Sequence, residues 1–126
     1  MTTQQKALCL QTRLGTFAVK TCDVPTPAQG ELLVEIHATA LNPVDWQIQT
    51  YDGGIIQEYP AILGTDCAGI VKAVGDGVTN FAIGDRVYVH FVGNIFLRSP
   101  IFAVYTRVYS SIARRHSSST LLYPHS

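Results

Sequence analysis

The side chains in this chain of 126 residues that could hold a metal, move a proton or attack an electrophile are few: nine acids, four histidines and three cysteines. Cys9, Cys22 and Cys67 are odd in number and form no CxxC pair, so they read as reduced thiols rather than a disulfide framework. Nothing near Cys67 in sequence would lower its pKa, and it reads as an inert small hydrophobe. His37 falls in the middle of a strand-like run on a mixed face, where a satisfied or exposed histidine is the expected role. His90 is the other histidine left over as a candidate. The most specific local pattern is Asn42-Pro43-Val44-Asp45. Asparagine at an N-cap, proline at the first helical position and an acid in the first turn together predict a helix start. The asparagine oxygen would take a free amide, and the acid would favour the positive helix end. No residue is assigned as catalytic on these grounds.

The elements that must position these residues are short. Residues 5–11 and 15–21 flank Leu14-Gly15 and predict an opening hairpin. Pro25-Thr26-Pro27 and Gly30 make a loop. Residues 31–41, ELLVEIHATAL, give the clearest strand, with Leu32, Val34, Ile36, Ala38 and Ala40 on one face and Glu35, His37 and Thr39 on the other. The helix from Pro43 should run to about Thr50 and stop before Gly53-Gly54. Trp46 and Tyr51 on it are expected in the core, with a substrate cleft as the alternative. After a loop around Pro60, residues 67–74 and 85–92 predict strands, and Asp76-Gly77 a turn between them. Asp45 and Asp66 are expected to hold nearby backbone amides. Gly64, Gly69, Gly75 and Gly84 read as turn or close-packing positions. The implied fold is mainly β, a small partial barrel with one or two short helices.

Four stretches carry a family likeness in order and spacing: GELLVEIHATALNPVD ending at Asp45, YPAILGTDCAG from Tyr59 to Gly69, VGDGV from Val74, and Phe81 through Gly84-Asp85-Arg86-Val87. Together they resemble the N-terminal GroES-like domain of zinc-independent medium-chain dehydrogenase/reductases, close to quinone oxidoreductases and trans-acting enoyl reductases. The resemblance covers about residues 5 to 91. It implies a GroES-like domain over residues 1–92 and hydride delivery from NADPH to an activated C=C or a quinone. The substrate would be a small enone, quinone or acyl compound. It also places Asn42, and more loosely Thr65, near the nicotinamide cofactor. Zinc-dependent relatives carry Cys-His where this chain has Asn42-Pro43, and Gly-His-Glu where it has Gly64-Thr65-Asp66. Asn42 and Thr65 are poor zinc ligands and Asp66 alone cannot hold the metal, so no metal site is expected. A dinucleotide fold needs a glycine-rich turn between strand and helix. No G-x-G-x-x-G follows Gly93, so tight NADPH binding is not expected of this polypeptide by itself and no Rossmann domain is expected in it.

Composition changes abruptly near residue 92. Residues 1–92 hold five basic against nine acidic residues, a net charge of −4, and no serine. Residues 93–126 hold four arginines, no acid and seven serines, a net charge of +4. The later segment matches nothing in the family. It has β-branched and aromatic residues between 101 and 109, but residues 93–126 are expected to form a poorly ordered, basic, serine-rich tail, above all from Arg114 onward. Whole-chain neutrality argues against nucleic acid as a partner. No apolar run reaches a membrane span's length, and the N-terminus has no signal-peptide pattern, so a cytoplasmic location is expected. Two function classes stay open. One is the N-terminal part of an oxidoreductase, inactive by itself. The other is a non-catalytic barrel or interaction module that self-associates through uncovered sheet edges. A co-chaperonin role ranks behind both, because a shared fold does not carry function.

Overall fold

A computed structural model describes residues 3–90 and 105–116. Chain order is β1 (Gln4–Leu10), β2 (Phe17–Asp23), β3 (Glu31–Thr39), α1 (Pro43–Tyr51), β4 (Ala61–Ile62), β5 (Asp66–Val74), β6 (Arg86–His90), β7 (Tyr105–Tyr109) and β8 (Arg114–Arg115). The strands form two sheets, β2-β1-β4 and β7-β3-β5-β6-β8. Every strand pair among the described residues is antiparallel. The mainly β expectation with one short helix therefore holds. The parallel sheet of a dinucleotide fold is not among the described residues.

Two apolar clusters hold the sheets. The larger joins Leu32, Val34, Cys67, Val71, Val87, Val89, Val108 and Ala113 from the five-stranded sheet and the β7–β8 turn. Leu32, Val34, Val71 and Val108 are fully buried, and each contributes about 1.5–3 kcal/mol on leaving water. The smaller cluster lies beneath α1, where Leu10, Ile48, Ile56 and Leu63 meet, with Val44 and Phe17 against them. Val44 and Ile48 are four residues apart and share one helix face.

The central pair, β3 with β5, depends on Gly69. A Cβ there would stand 2.0 Å from the Glu35 carbonyl oxygen. The strands approach closely because that position has no side chain. The pair also carries register shifts at Leu33/Val34 and Ile36/Ala38. These bulges re-aim the strand. Leu32 and Val34 point inward as expected, but Ile36 is half-buried and Ala38 and Ala40 are exposed. Ile36 packs against the core cluster, so the single-face reading holds through Ile36 and is corrected at Ala38 and Ala40.

Residues 105–116 carry two strands where a loose end was expected from Arg114 onward. β7 pairs with β3 from Glu31↔Tyr109 to Glu35↔Tyr105, and β8 pairs with β6. Val108 and Ala113 fill the core, and the segment's positive charge meets the acids of the preceding part. Arg115 Nη2 lies 2.8 Å from Asp85 Oδ2, and Arg107 Nη1 lies 3.5 Å from Glu31 Oε2. The expected strand at residues 91–92 and the serine-rich end from residue 117 fall outside the described residues.

Candidate functional site

The end of β3, the start of α1 and the start of β5 converge at Asn42. Asn42 is the N-cap of α1, with extended backbone angles of φ −116° and ψ 152°. Its backbone N–H donates to Asp45 Oδ2 at 2.8 Å, and the Asp45 N–H returns to the Asn42 carbonyl at 3.0 Å. The cap's charged hydrogen bond thus comes from the acid in the first turn. The Asn42 amide nitrogen instead turns toward β5. It donates to Thr65 Oγ1 at 2.7 Å and to Asp66 Oδ2 at 3.0 Å. Both amide hydrogens are committed, which fixes the side chain's plane.

Thr65 is buried and Asn42 is half-buried. Asn42 is therefore the member of the pair that meets the surface, and Thr65 supports it from below. Asp45 is 6% exposed, and its Oδ1 has no hydrogen-bond partner among the described residues. Burial pushes the Asp45 carboxyl above the ordinary carboxylate range; the Asn42 N–H pulls it back and the Asp66 charge raises it further. Asp45 meets the expectation of an acid on a backbone amide. Asp66 differs, because its carboxylate serves two side chains: Asn42 on Oδ2 and His90 Nδ1 on Oδ1.

Other expected residues sort as follows. Cys67 is buried, and burial, with Asp66 adding to it, pushes its thiol up to about 12. His37 is half exposed and lies 3.0 Å from Glu35 Oε1, a partnered strand histidine. Trp46 and Tyr51 are not in the core: they are 50% and 70% exposed, with ring centroids 6.0 Å apart. Leu41, 83% exposed, lies on the same approach to Asn42 in sequence. His90 was singled out only as a leftover. Its contact with Asp66 spans 24 residues and follows from the β5–β6 register, which pairs Asp66 with His90.

The residues where zinc-dependent relatives keep ligands are an amide, a hydroxyl and one carboxylate, and they hydrogen-bond one another. Catalytic zinc needs three ligands of the Cys, His or carboxylate type. This donor set does not fit it. Among the described residues no group of three His, Cys, Asp or Glu is placed to hold a metal ion. Among the same residues no helix is long and apolar enough to cross a membrane.

Comparison with known proteins agrees with the motifs. Over 99 residues the chain is 41% identical to the zinc-binding alcohol dehydrogenase domain-containing protein cipB of Emericella nidulans, covering 77% of this chain and 31% of that one. Over 69 residues it is 48% identical to a chloroplast envelope quinone oxidoreductase homolog of Arabidopsis thaliana, covering 51% of this chain and 20% of that one. It thus spans less than a third of the length of either relative. An alcohol dehydrogenase superfamily protein from Novosphingobium aromaticivorans superposes with a TM-score of 0.77 at 30% identity, over 91% of this chain and 35% of that one. The model of the alcohol dehydrogenase GroES-like domain matches residues 28–102, a stretch that includes Asn42, Thr65, Asp66 and His90, and the chain belongs to that family.

Proposed function

We propose that this chain supplies the catalytic-domain wall of a zinc-free, NADPH-dependent reductase of enones, quinones or acyl substrates. The observation that carries this reading is the Asn42 amide held by Thr65 Oγ1 and Asp66 Oδ2. A metal-using relative would need ligands at those places; this chain has an amide, a hydroxyl and one carboxylate bonded to one another, although its relative cipB is called zinc-binding. The reduced nicotinamide, when bound, supplies the hydride. Asn42 is the residue that contacts it, and Thr65 and Asp66 fix its orientation. Asp45 secures the start of α1 beneath them. A preorganised amide of this kind costs little reorganisation when charge develops nearby. Leu41, next to Asn42 in sequence, and Trp46 and Tyr51 on α1 are exposed apolar side chains suited to closure by another domain or by substrate.

Two measurements test the reading. Calorimetry on the 126-residue chain should show no binding at micromolar NADPH, since the segment that cradles a pyrophosphate is not among its motifs. A fusion placing residues 3–90 on the remainder of the Arabidopsis relative should oxidise NADPH with a quinone or an enone. That activity should survive a metal chelator and fall when Asn42 is changed to Ala. A folded fusion that binds NADPH but reduces neither substrate would overturn the assignment, and chelator-sensitive turnover would overturn the zinc-free part.

A non-catalytic role as an interaction module is the second reading. It draws on β2, which pairs only with β1 among the described residues. Such an edge can template pairing with a second copy. Sedimentation showing a monomer at high concentration would remove it.

A further inference from the structure

His90 is anchored at one ring nitrogen and open at the other. Asp66 Oδ1 meets Nδ1, and the His90 side chain is 65% exposed against 24% for Asp66. In the neutral ring a carboxylate on Nδ1 favours the hydrogen there, and the lone pair is then on Nε2. The sheet face beside it is cut back. Ala68 lies across from Tyr88 on β6 and from Ala38 on β3, and the Ala40 N–H donates to the Asp66 carbonyl at 3.3 Å. Three alanines on neighbouring strands leave a trough of about 410 Å³ walled by Tyr88 and His90. That size, with an alanine floor and the polar side chains of Thr39, Asp66 and His90 in the lining, suits a small planar ligand.

We propose that this trough binds a small aromatic alcohol, the reduced product of a quinone. The ring lies on the alanines against Tyr88, and the hydroxyl donates to His90 Nε2. The proposal rests on the reductase reading and deepens it, because it assigns the place and chemistry of the reduced product's oxygen. The same carboxylate that orients His90 also holds Asn42. Asp66 therefore ties the oxygen-binding nitrogen to the residue proposed to meet the cofactor.

The test uses the full 126-residue chain, isotope-labelled and followed by NMR. Its probes are 1-naphthol and 1-methoxynaphthalene, which share a ring system but differ in the hydroxyl donor. 1-Naphthol should shift the His90 ring nitrogens and the amides of Ala38, Ala68 and Tyr88. 1-Methoxynaphthalene should bind about fivefold to tenfold more weakly, the worth of one net hydrogen bond. His90→Ala should bring 1-naphthol down to the ether's affinity. Ala68→Leu, which fills the trough without touching His90, should weaken both probes. Equal affinity for the two probes, shifts that map elsewhere, or unchanged binding in Ala68→Leu would each overturn the proposal. These outcomes involve no hydride transfer. Hydroxyl selectivity in a chain whose fusion reduces nothing would sink the reductase reading alone, and an active fusion without that selectivity would sink the trough alone.

Discussion

Gly69→Ala should cost this domain a large share of its stability, and the magnitude follows from three distances. The added Cβ would sit 2.0 Å from the Glu35 carbonyl oxygen, 2.9 Å from its carbon and 2.9 Å from Val34 Cγ1. Two of those atoms are backbone and cannot rotate away. Relief requires β3 and β5 to separate by more than an ångström at the centre of the five-stranded sheet. Overpacking of this kind costs about 1–3 kcal/mol. Lengthening the flanking ladder hydrogen bonds adds about 1 kcal/mol each. A total of about 3–5 kcal/mol is expected, against a domain stability on the order of 5–15 kcal/mol. Gly77→Ala is the control. Its backbone has φ +77°, yet the new Cβ meets only Gln29 Cγ at 4.0 Å, so only the left-handed backbone penalty of about 1–2 kcal/mol applies. Urea denaturation of both variants separates the two mechanisms. Equal losses, or a Gly69→Ala loss below about 1 kcal/mol, would show that the strands are not held by that contact. The same separation would displace Asp66, three residues away on β5, so Gly69→Ala should also loosen the Asn42 amide.

Asp45→Asn tests the buried acid. Its folded pKa lies above its unfolded value because burial disfavours the charge. The stability this contributes is complete below the unfolded value of about 4 and is lost as pH rises through the raised folded value. Relative to the wild type, the variant should therefore gain stability between acid and neutral pH. Parallel urea midpoints across that range would contradict the burial argument. Cysteine labelling tests the thiol order: at about pH 8, iodoacetamide should reach the half-buried Cys22 first and Cys67 only on unfolding, since the Cys67 thiol is pushed up to about 12. Early alkylation of Cys67 in native protein, read by mass spectrometry, would place that strand in solvent.

Much of the framework was legible because its signals are local. Proline at the first helical position and Gly53-Gly54 beyond the end bracketed α1 to within a residue of Pro43–Tyr51. Alternation located β3, and Asp76-Gly77 marked the turn after β5, where Gly77 adopts φ +77°. Other features depend on what lies across the sheet. Ala38 is exposed just past the Ile36/Ala38 register shift, which no pattern within β3 announces. Trp46 and Tyr51 were expected inside, but a nine-residue helix has one face to bury. The spacing of Val44 and Ile48 had already claimed it. The Asn42 amide shows the same division. Its cap position was readable, whereas its turn toward Thr65 and Asp66 depends on β5 arriving beside α1. The charge split near residue 92 was visible, but its consequence needed the fold: Arg107 and Arg115 lie against Glu31 and Asp85.

Arg115 and Asp85 form a largely exposed pair worth only about 0.2–1 kcal/mol, and Arg107 lies 3.5 Å from the buried Glu31 carboxylate, whose desolvation offsets the attraction, so ion pairs do not explain why residues 105–116 join the sheet. Burial does. Val108 is completely enclosed and Ala113 nearly so, and β7 gives the outer edge of β3 a partner along Glu31 to Glu35. The arginines then choose register and sign. The opposite face of the domain has no such cover. Leu41, next to Asn42 in sequence, and Trp46 and Tyr51 on α1 are exposed. The fold therefore seals the β7 edge with buried side chains and leaves large apolar side chains of α1 in solvent, where a patch of that kind marks a surface suited to a partner or ligand.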